Sequence, residues 1–444
     1  MKRVMPMMLI LTIVMITCLF SSLTAQTKVE DIRSFTLKNG MKLILLEDHS
    51  IPNVAMYTFY KVGSRNEYPG ITGLSHFFEH MMFNGAEKYG PKMFDRVMES
   101  AGGANNAYTT ENITVYSNWF PSSALETIFD LEADRIGHLA LSDKMVESER
   151  GVIISERVTR LANSNSSFLE EQVKAVAFMA HPYRWSVLGY ESDIKNWKKS
   201  DLQLYFNTYY APNNAVTVIV GDVTLEGIQK LAEKYLEPIP AHDPPRPIHT
   251  KEPEQLGEKR LYVHREVSSP NLMIVYHIPE STSKDYYALK MLDSILSDGN
   301  SSRLYNSLIN EKQLAVEVYS MVENSIDPYL FSIYAVCSQG TDEMTLEKAI
   351  LDEIDKISKE GVTEQELQKI KNNTLVKLYH SMETIDGKAE AIGTYEIFHG
   401  DYKKMFAAPE EVKKVSLEDI KHVASTYFKK SNRTIGILKS QEEK

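Results

Sequence analysis

Two histidines and a glutamate interrupt an apolar stretch, GLSHFFEHMMFNG, at Gly73–Gly85. The surrounding phenylalanines and methionines favour a helix packed into a core. On such a helix, His76 and His80 lie one turn apart on one face, and Glu79 lies beside them. Burying these three polar groups costs free energy unless they have partners. The pattern therefore predicts a metal site, and the alternative is a structural pair of core histidines.

Two imidazoles at this spacing can bind one zinc ion from the same side, and Glu79 can then act as a general base towards water. Catalytic zinc usually has three protein ligands and one open position. Candidates for the third ligand lie in VESERGVIISERVTR, Val146–Arg160. Glu149 and Glu156 are two helical turns apart, so one could bind the metal and the other could orient a ligand. A solvated acidic stripe is the alternative, and the spacing alone does not decide between them.

The composition indicates a globular protein. The chain has 444 residues, of which 43% are hydrophobic and 25% charged, and its formal net charge is −11. Binding to nucleic acid requires a cationic surface, so this charge argues against nucleic acid as a partner.

The N-terminus resembles an export signal, because Lys2 and Arg3 precede an apolar run over residues 4–20 and small residues up to Ala25. We predict a signal peptide over residues 1–25 and a periplasmic or secreted protein. An uncleaved membrane anchor through residues 4–20 is the less favoured alternative. After cleavage Cys337 is the remaining cysteine, so no internal disulfide is expected.

Residues 238–258 contain closely spaced prolines, which remove hydrogen-bond donors and stiffen a chain. We interpret this segment as a linker between a catalytic domain over residues 26–237 and a second domain over residues 259–444.

The two halves look like copies of one α+β unit. Thr208-Tyr209-Tyr210 followed by Asn214 matches Thr426-Tyr427-Phe428 followed by Asn432. HFFEHMMFNG also aligns with KMLDSILSDG at residues 290–299, where the metal-site positions carry Lys290, Asp293 and Ser294. We therefore expect metal in the first copy and none in the second.

These residues resemble the inverted zinc motif, HxxEH, of the pitrilysin/insulinase metallopeptidases. The resemblance spans the mature chain, and it includes GGANNAYTTENITVY, HPYRWSVLGYESDI, YYAPNNAVTVIVGD and SSRLYNSLINEKQLAVEVYS. It implies Glu156 as the third ligand of one zinc ion, with Glu149 as its acidic companion. It also implies the short subfamily, similar to mitochondrial processing peptidase, with two homologous α+β domains. Each domain is expected to be a mostly antiparallel sheet with helices packed on one side.

The resemblance further implies a substrate and a partner. Extended peptides or unfolded segments would add to an edge strand, where Asn106 and Ala107 match substrate-contacting positions. Asn106 could instead bond only its own hairpin turn. Two short chains usually pair to enclose a chamber.

One departure from the family concerns the second half. Active members carry an arginine and a tyrosine seven residues apart, and here the matching positions are Ile309 and Val316. We expect a related chain to supply the missing pair in a heterodimer. The alternatives are that the pair is misaligned here, or that a homodimer works without it. The leading hypothesis is therefore an exported zinc endopeptidase that cleaves peptides or unfolded segments, and the rival hypothesis is a structural or binding subunit of the same fold without activity.

Overall fold

The computed structural model describes residues 27–441. The predicted signal peptide and anchor lie outside these residues. Within them, no helix has both the length and the apolar character needed to cross a membrane.

The strands form two sheets, one in each half of the chain. The first-half strands are β1 (Ile32–Thr36), β2 (Lys42–Glu47), β3 (Asn53–Tyr60), β4 (Ala104–Thr109), β5 (Thr114–Pro121) and β6 (Ala215–Gly221). The second-half strands are β7 (Lys259–His264), β8 (Asn271–Ile278), β9 (Ala315–Val322), β10 (Tyr329–Cys337) and β11 (Arg433–Lys439). Their orders are β1-β2-β6-β3-β5-β4 and β7-β11-β8-β10-β9. All pairings are antiparallel except β2 with β6 and β7 with β11.

The helices of the first half are α1 (Leu74–Asn84), α2 (Met93–Ser100), α3 (Leu125–Gly137), α4 (Asp143–Asn163), α5 (Asn165–Ala177), α6 (Glu191–Asn196), α7 (Lys199–Tyr209) and α8 (Leu225–Leu231). Those of the second half are α9 (Tyr286–Ser297), α10 (Glu343–Glu360), α11 (Glu364–His380), α12 (Ile385–His399), α13 (Lys404–Lys414) and α14 (Leu417–Tyr427). Two π-helical segments are Ala232–Leu236 and Tyr305–Glu311.

Each sheet is covered on both faces. Along β2, Leu43 and Leu45 pack against the helices of the first half, whereas Ile44 and Leu46 pack on the opposite face against α12 of the second half. The second sheet repeats this arrangement, because α5 of the first half covers one of its faces. This explains why the central strands β6 and β8 are buried along almost their whole length.

The exchanged helices approach the sheets closely. A Cβ atom at Gly393 of α12 would lie 2.0 Å from the ring of Phe59, and one at Gly436 of β11 would lie 2.3 Å from Val173 of α5. Glycine at these two positions therefore lets each helix pack against the other half's sheet.

The predicted α+β architecture of two related units with mostly antiparallel sheets is confirmed. The exchange of one helix between the halves was not predicted. No helix or strand occurs between Leu236 and Lys259 within the described chain, and the division into domains stays a prediction.

Candidate metal centre

Helix α1 is anchored by its apolar residues. Leu74, Phe77, Phe78, Met81 and Met82 are fully buried in the core of the first half. Because side chains four residues apart share a face, the same packing directs His76 and His80 together towards α4. Contacts between α1 and α4 bring Glu149 and Glu156 to that face.

The structure brings the three predicted ligands together. One donor atom from each of His76, His80 and Glu156 lies within 4.8 Å of the other two. Oε2 of Glu156 is 3.6 Å from Nε2 of His76 and 3.4 Å from Nε2 of His80. Two imidazole nitrogens and one carboxylate oxygen form a donor set that suits zinc and leaves a fourth position open. Among residues 27–441 no other group of this kind occurs.

Glu149 contacts the side of the His80 ring that faces away from Glu156. Its Oε1 atom is 2.8 Å from Nδ1 of His80, and its Oε2 atom accepts a hydrogen bond of 2.6 Å from Nδ2 of Asn84. With the proton on Nδ1, the lone pair of Nε2 faces Glu156, as a metal ligand requires. The hydrogen bond with His80 is the main cause that lowers the pKa of Glu149.

The two histidines differ in their surroundings. Burial, together with the charges of His80 and Arg160, lowers the pKa of His76 to about 3, so its ring is neutral and able to bind a metal. Its buried Nδ1 atom has no hydrogen-bond partner within the described chain. For His80, burial favours the neutral ring, but the hydrogen bond with Glu149 and nearby carboxylates raise the pKa overall.

Glu79 lines two cavities beside the three predicted ligands and lies outside their group of donor atoms. Its Oε2 atom accepts a hydrogen bond of 2.5 Å from Oγ1 of Thr109 on β4. Burial raises the pKa of Glu79, and the hydrogen bond from Thr109 opposes that increase. The sequence did not point to Thr109 or Asn84, because neither residue type is distinctive of such a site.

A cavity of about 680 Å³ opens on one side of the centre, lined by Glu79, His80 and Glu149 and by Asn106 and Ala107 of β4. Strand β4 is the edge of its sheet and pairs only with β5 within the described chain. Asn106 lies in the strand opposite Ser117 and not in the following turn. This edge therefore offers unpaired backbone groups next to the candidate metal centre.

A second cavity, of about 840 Å³, extends from the centre to the other half of the chain. Its lining includes His76, Glu79 and Glu156 of the first half and Lys290 and Glu323 of the second half. Two second-half counterparts of the predicted metal-site residues form hydrogen bonds within the second half. Lys290 donates to the carbonyl of Val322 at 2.5 Å, and Asp293 accepts from Ser320 at 2.6 Å.

The positions that match the family's arginine and tyrosine lie on the second sheet and the segment before it. Ile309 is partly buried against the core of the second half, whereas Val316 on β9 is 63% exposed. The β9–β10 pairing shifts register at this point, with Ala315 opposite Cys337 and Glu317 opposite Val336. Neither side chain can donate a hydrogen bond.

The fold and this centre define a metallopeptidase of the inverted-motif class, and comparison with known proteins agrees. Residues 42–190 match the family described as Insulinase (Peptidase family M16), and residues 196–374 match the Peptidase M16 inactive domain. The chain is 30% identical to the zinc protease PqqE of Helicobacter pylori over 97% of both chains. It is 27% identical to the beta subunit of the mitochondrial-processing peptidase of Lentinula edodes over 88% of this chain and 86% of that one.

Solved structures show the same fold. A protease from Helicobacter pylori superposes with a TM-score of 0.89 at 29% identity, covering 92% of this chain and 99% of that one. The periplasmic protease PqqL of Escherichia coli has a TM-score of 0.76 at 17% identity, covering 94% of this chain and 48% of that one, and this likeness concerns the fold alone. The chain belongs to peptidase family M16, the pitrilysin/insulinase family. Two of its relatives, PqqE of Helicobacter pylori and YmxG of Bacillus subtilis, are named as zinc proteases.

Proposed function

We propose that this chain is an exported zinc endopeptidase that cleaves peptides or unfolded segments as one subunit of a dimer. The observation that carries the proposal is the placement of His76, His80 and Glu156 within 4.8 Å of one another, with Glu79 beside them. The exposed edge of β4 supports the choice of an extended peptide as substrate, because such a peptide can pair with it through backbone hydrogen bonds.

His76, His80 and Glu156 would hold one zinc ion per chain. When bound, zinc supplies Lewis-acid polarisation of a carbonyl and a lowered pKa for water. Glu79 accepts a proton from the attacking water at a carboxylate oxygen while the water oxygen bonds to the carbonyl carbon. Glu79 then gives that proton to the leaving amine nitrogen as the C–N bond breaks. Glu149 keeps His80 in the tautomer that presents Nε2.

Strand β4 positions the substrate. Asn106 and Ala107 line the cavity beside Glu79, so a peptide paired with this edge would place a backbone carbonyl near the centre. This edge would therefore select extended chains as substrates, because a folded protein rarely offers a free strand that can pair with it.

The test is cleavage of an internally quenched peptide with both termini blocked, by protein purified without residues 1–25. Blocked termini exclude exopeptidase activity, and product masses locate the cleaved bond. We expect stoichiometric zinc, inhibition by a chelator and recovery on adding zinc. A protein that binds zinc but cleaves no peptide, alone or with a related chain, is the outcome expected for the rival structural or binding subunit. Export is tested separately by fractionation of cells and sequencing of the mature N-terminus.

A further inference from the structure

Arg160 is a cation without a partner beside the metal centre. It lies on α4 one helical turn after Glu156, and it lines both the cavity of about 840 Å³ and the exposed face of α4. No hydrogen bond or ion pair to its guanidinium is formed by any residue between 27 and 441. Arg160 therefore presents its hydrogen-bond donors to the cavity and to solvent.

The other arginines of α4 have structural partners. Both terminal nitrogens of Arg157 lie 2.8 Å from the carboxylate oxygens of Glu171 on α5. Arg150 donates to the carbonyls of Ile194 and Trp197. These contacts fix α4 against its neighbours, so Arg160 is not needed for that purpose.

The other cations that line this cavity are also engaged. Nζ of Lys174 lies 2.6 Å from a carboxylate oxygen of Glu111 and 2.6 Å from one of Glu170. Lys290 donates to the carbonyl of Val322. Arg160 is thus the lining cation that is free to bind an anionic group of a ligand.

The position of Arg160 limits where that group can lie. Residues one turn apart on a helix have Cβ atoms about 5–6 Å apart, and an extended peptide advances about 3.3 Å per residue. A peptide cleaved at the centre would therefore pass Arg160 about one or two residues from the cleaved bond. A planar guanidinium binds a carboxylate through two parallel hydrogen bonds, which makes an acidic side chain the best match.

We propose that Arg160 is a specificity-determining residue that binds the carboxylate of an acidic side chain one or two residues from the cleaved bond. The proposal rests on the peptidase function proposed above. It assigns Arg160 a role in substrate choice and no role in stabilising the developing oxyanion, which the family's missing arginine and tyrosine would serve.

The experiment measures kcat/KM for blocked, quenched peptides in which glutamate is moved through the two positions on each side of the cleaved bond. Each peptide is compared with its glutamine counterpart, which has the same size and no charge. We expect the wild type to prefer glutamate at one position by about tenfold, the scale of one charge-assisted pair. Arg160→Gln should abolish this preference, Arg160→Lys should keep part of it, and Arg160→Glu should shift it to a lysine peptide. Lys144→Gln replaces an exposed cation earlier on the same helix and is the matched control. It should leave the glutamate preference unchanged.

A second measurement separates this inference from the proposed function. Binding of the same peptide pairs to the Glu79→Gln variant, with and without Arg160→Gln, needs no turnover. If the wild type cleaves no peptide, the proposed function fails, and the binding difference still decides the role of Arg160. If Arg160→Gln loses the same binding affinity for the glutamate and glutamine peptides, Arg160 contacts the peptide backbone, and the proposal is overturned. Loss of zinc from Arg160→Gln would also overturn it, because Arg160 would then act through the metal site.

Discussion

Oε1 of Glu149 lies 2.8 Å from Nδ1 of His80, on the side of the ring that faces away from Glu156. The two glutamates of α4 therefore contact opposite nitrogens of one imidazole. We propose that Glu156 shares a metal with the ring and that Glu149 orients it. This division gives the two residues separable roles that substitution can test.

Glu156→Gln should remove most of the zinc, whereas Glu149→Gln should retain more of it and lose activity. A ligand contributes its charge directly to the cation, while a residue behind a ligand acts by orienting it, with typical losses of about 10–100-fold. Metal analysis of the two purified variants by mass spectrometry decides the assignment. A metal-free Glu149→Gln beside a zinc-loaded Glu156→Gln would show that the two roles are reversed.

Glu79→Gln should keep zinc at the wild-type level and lose more than about 95% of the activity. Glutamine preserves the size of the side chain and can still accept a hydrogen bond from Thr109, but it cannot take a proton from water. Zinc content and kcat are measured on the same preparation. Substantial turnover by the zinc-loaded variant would exclude Glu79 as the general base.

Thr109→Val should move the acidic limb of the pH–activity profile to higher pH. Burial raises the pKa of Glu79, and the hydrogen bond from Thr109 counteracts this by stabilising the carboxylate. Without that bond the pKa rises further, so the carboxylate needed as a base is lost at a higher pH. The measurement is kcat/KM against pH for zinc-loaded wild type and variant. Thr110→Val is a neighbouring control, since Thr110 bonds within its own turn. If the acidic limb of the profile does not shift in Thr109→Val, the ionisation of Glu79 does not determine that limb.

The sequence was most informative where one residue pattern had one structural outcome. The spacing of His76 and His80 required a helix with both rings on one face, and the structure has it at Leu74–Asn84. The sequence did not reveal that the helical region after Ser142 is two helices, which are separated at Ser164, whose side chain caps the second helix. Packing between segments that are far apart in the sequence leaves no local pattern from which it could be predicted. The contact of Gly393 with Phe59 could not be read from either residue, and the roles of the site residues stay predictions.

Lys174→Met should destabilise the protein by about 3–5 kcal/mol, because it leaves the buried carboxylate of Glu111 without its cation. Nζ of Lys174 lies 2.6 Å from Glu111, which also accepts a hydrogen bond of 3.0 Å from Tyr329 of the second half. The free energy of unfolding is measured with denaturant. Lys230→Met is the control, since Lys230 and Glu226 form a pair that is 72% and 79% exposed and contributes little. A loss as small as that of the control would show that the buried pair does not stabilise the contact between halves.

The chain purified alone should have low peptidase activity, and a related chain with an arginine and a tyrosine at the positions of Ile309 and Val316 should raise it. The reason is chemical. Removing preorganised donors to a developing oxyanion costs about 10²–10³-fold in kcat, and neither Ile309 nor Val316 has a donor. The exposure of Val316 on β9 leaves this position open to solvent, whereas Ile309 packs against the core.

The measurement compares kcat of this chain alone, of a related chain from a neighbouring gene, and of an equimolar mixture, with the assembly followed by light scattering. The mixture should form a heterodimer and exceed the summed activities of its parts. Introducing Glu79→Gln into this chain should abolish that gain, because the proposed active centre lies in this chain. A partner that lacks HxxEH has no glutamate equivalent to Glu79 to replace. The complementary control is therefore to replace the partner's arginine and tyrosine. Full activity from a pure homodimer would show that the missing pair is dispensable and that no heterodimer is needed.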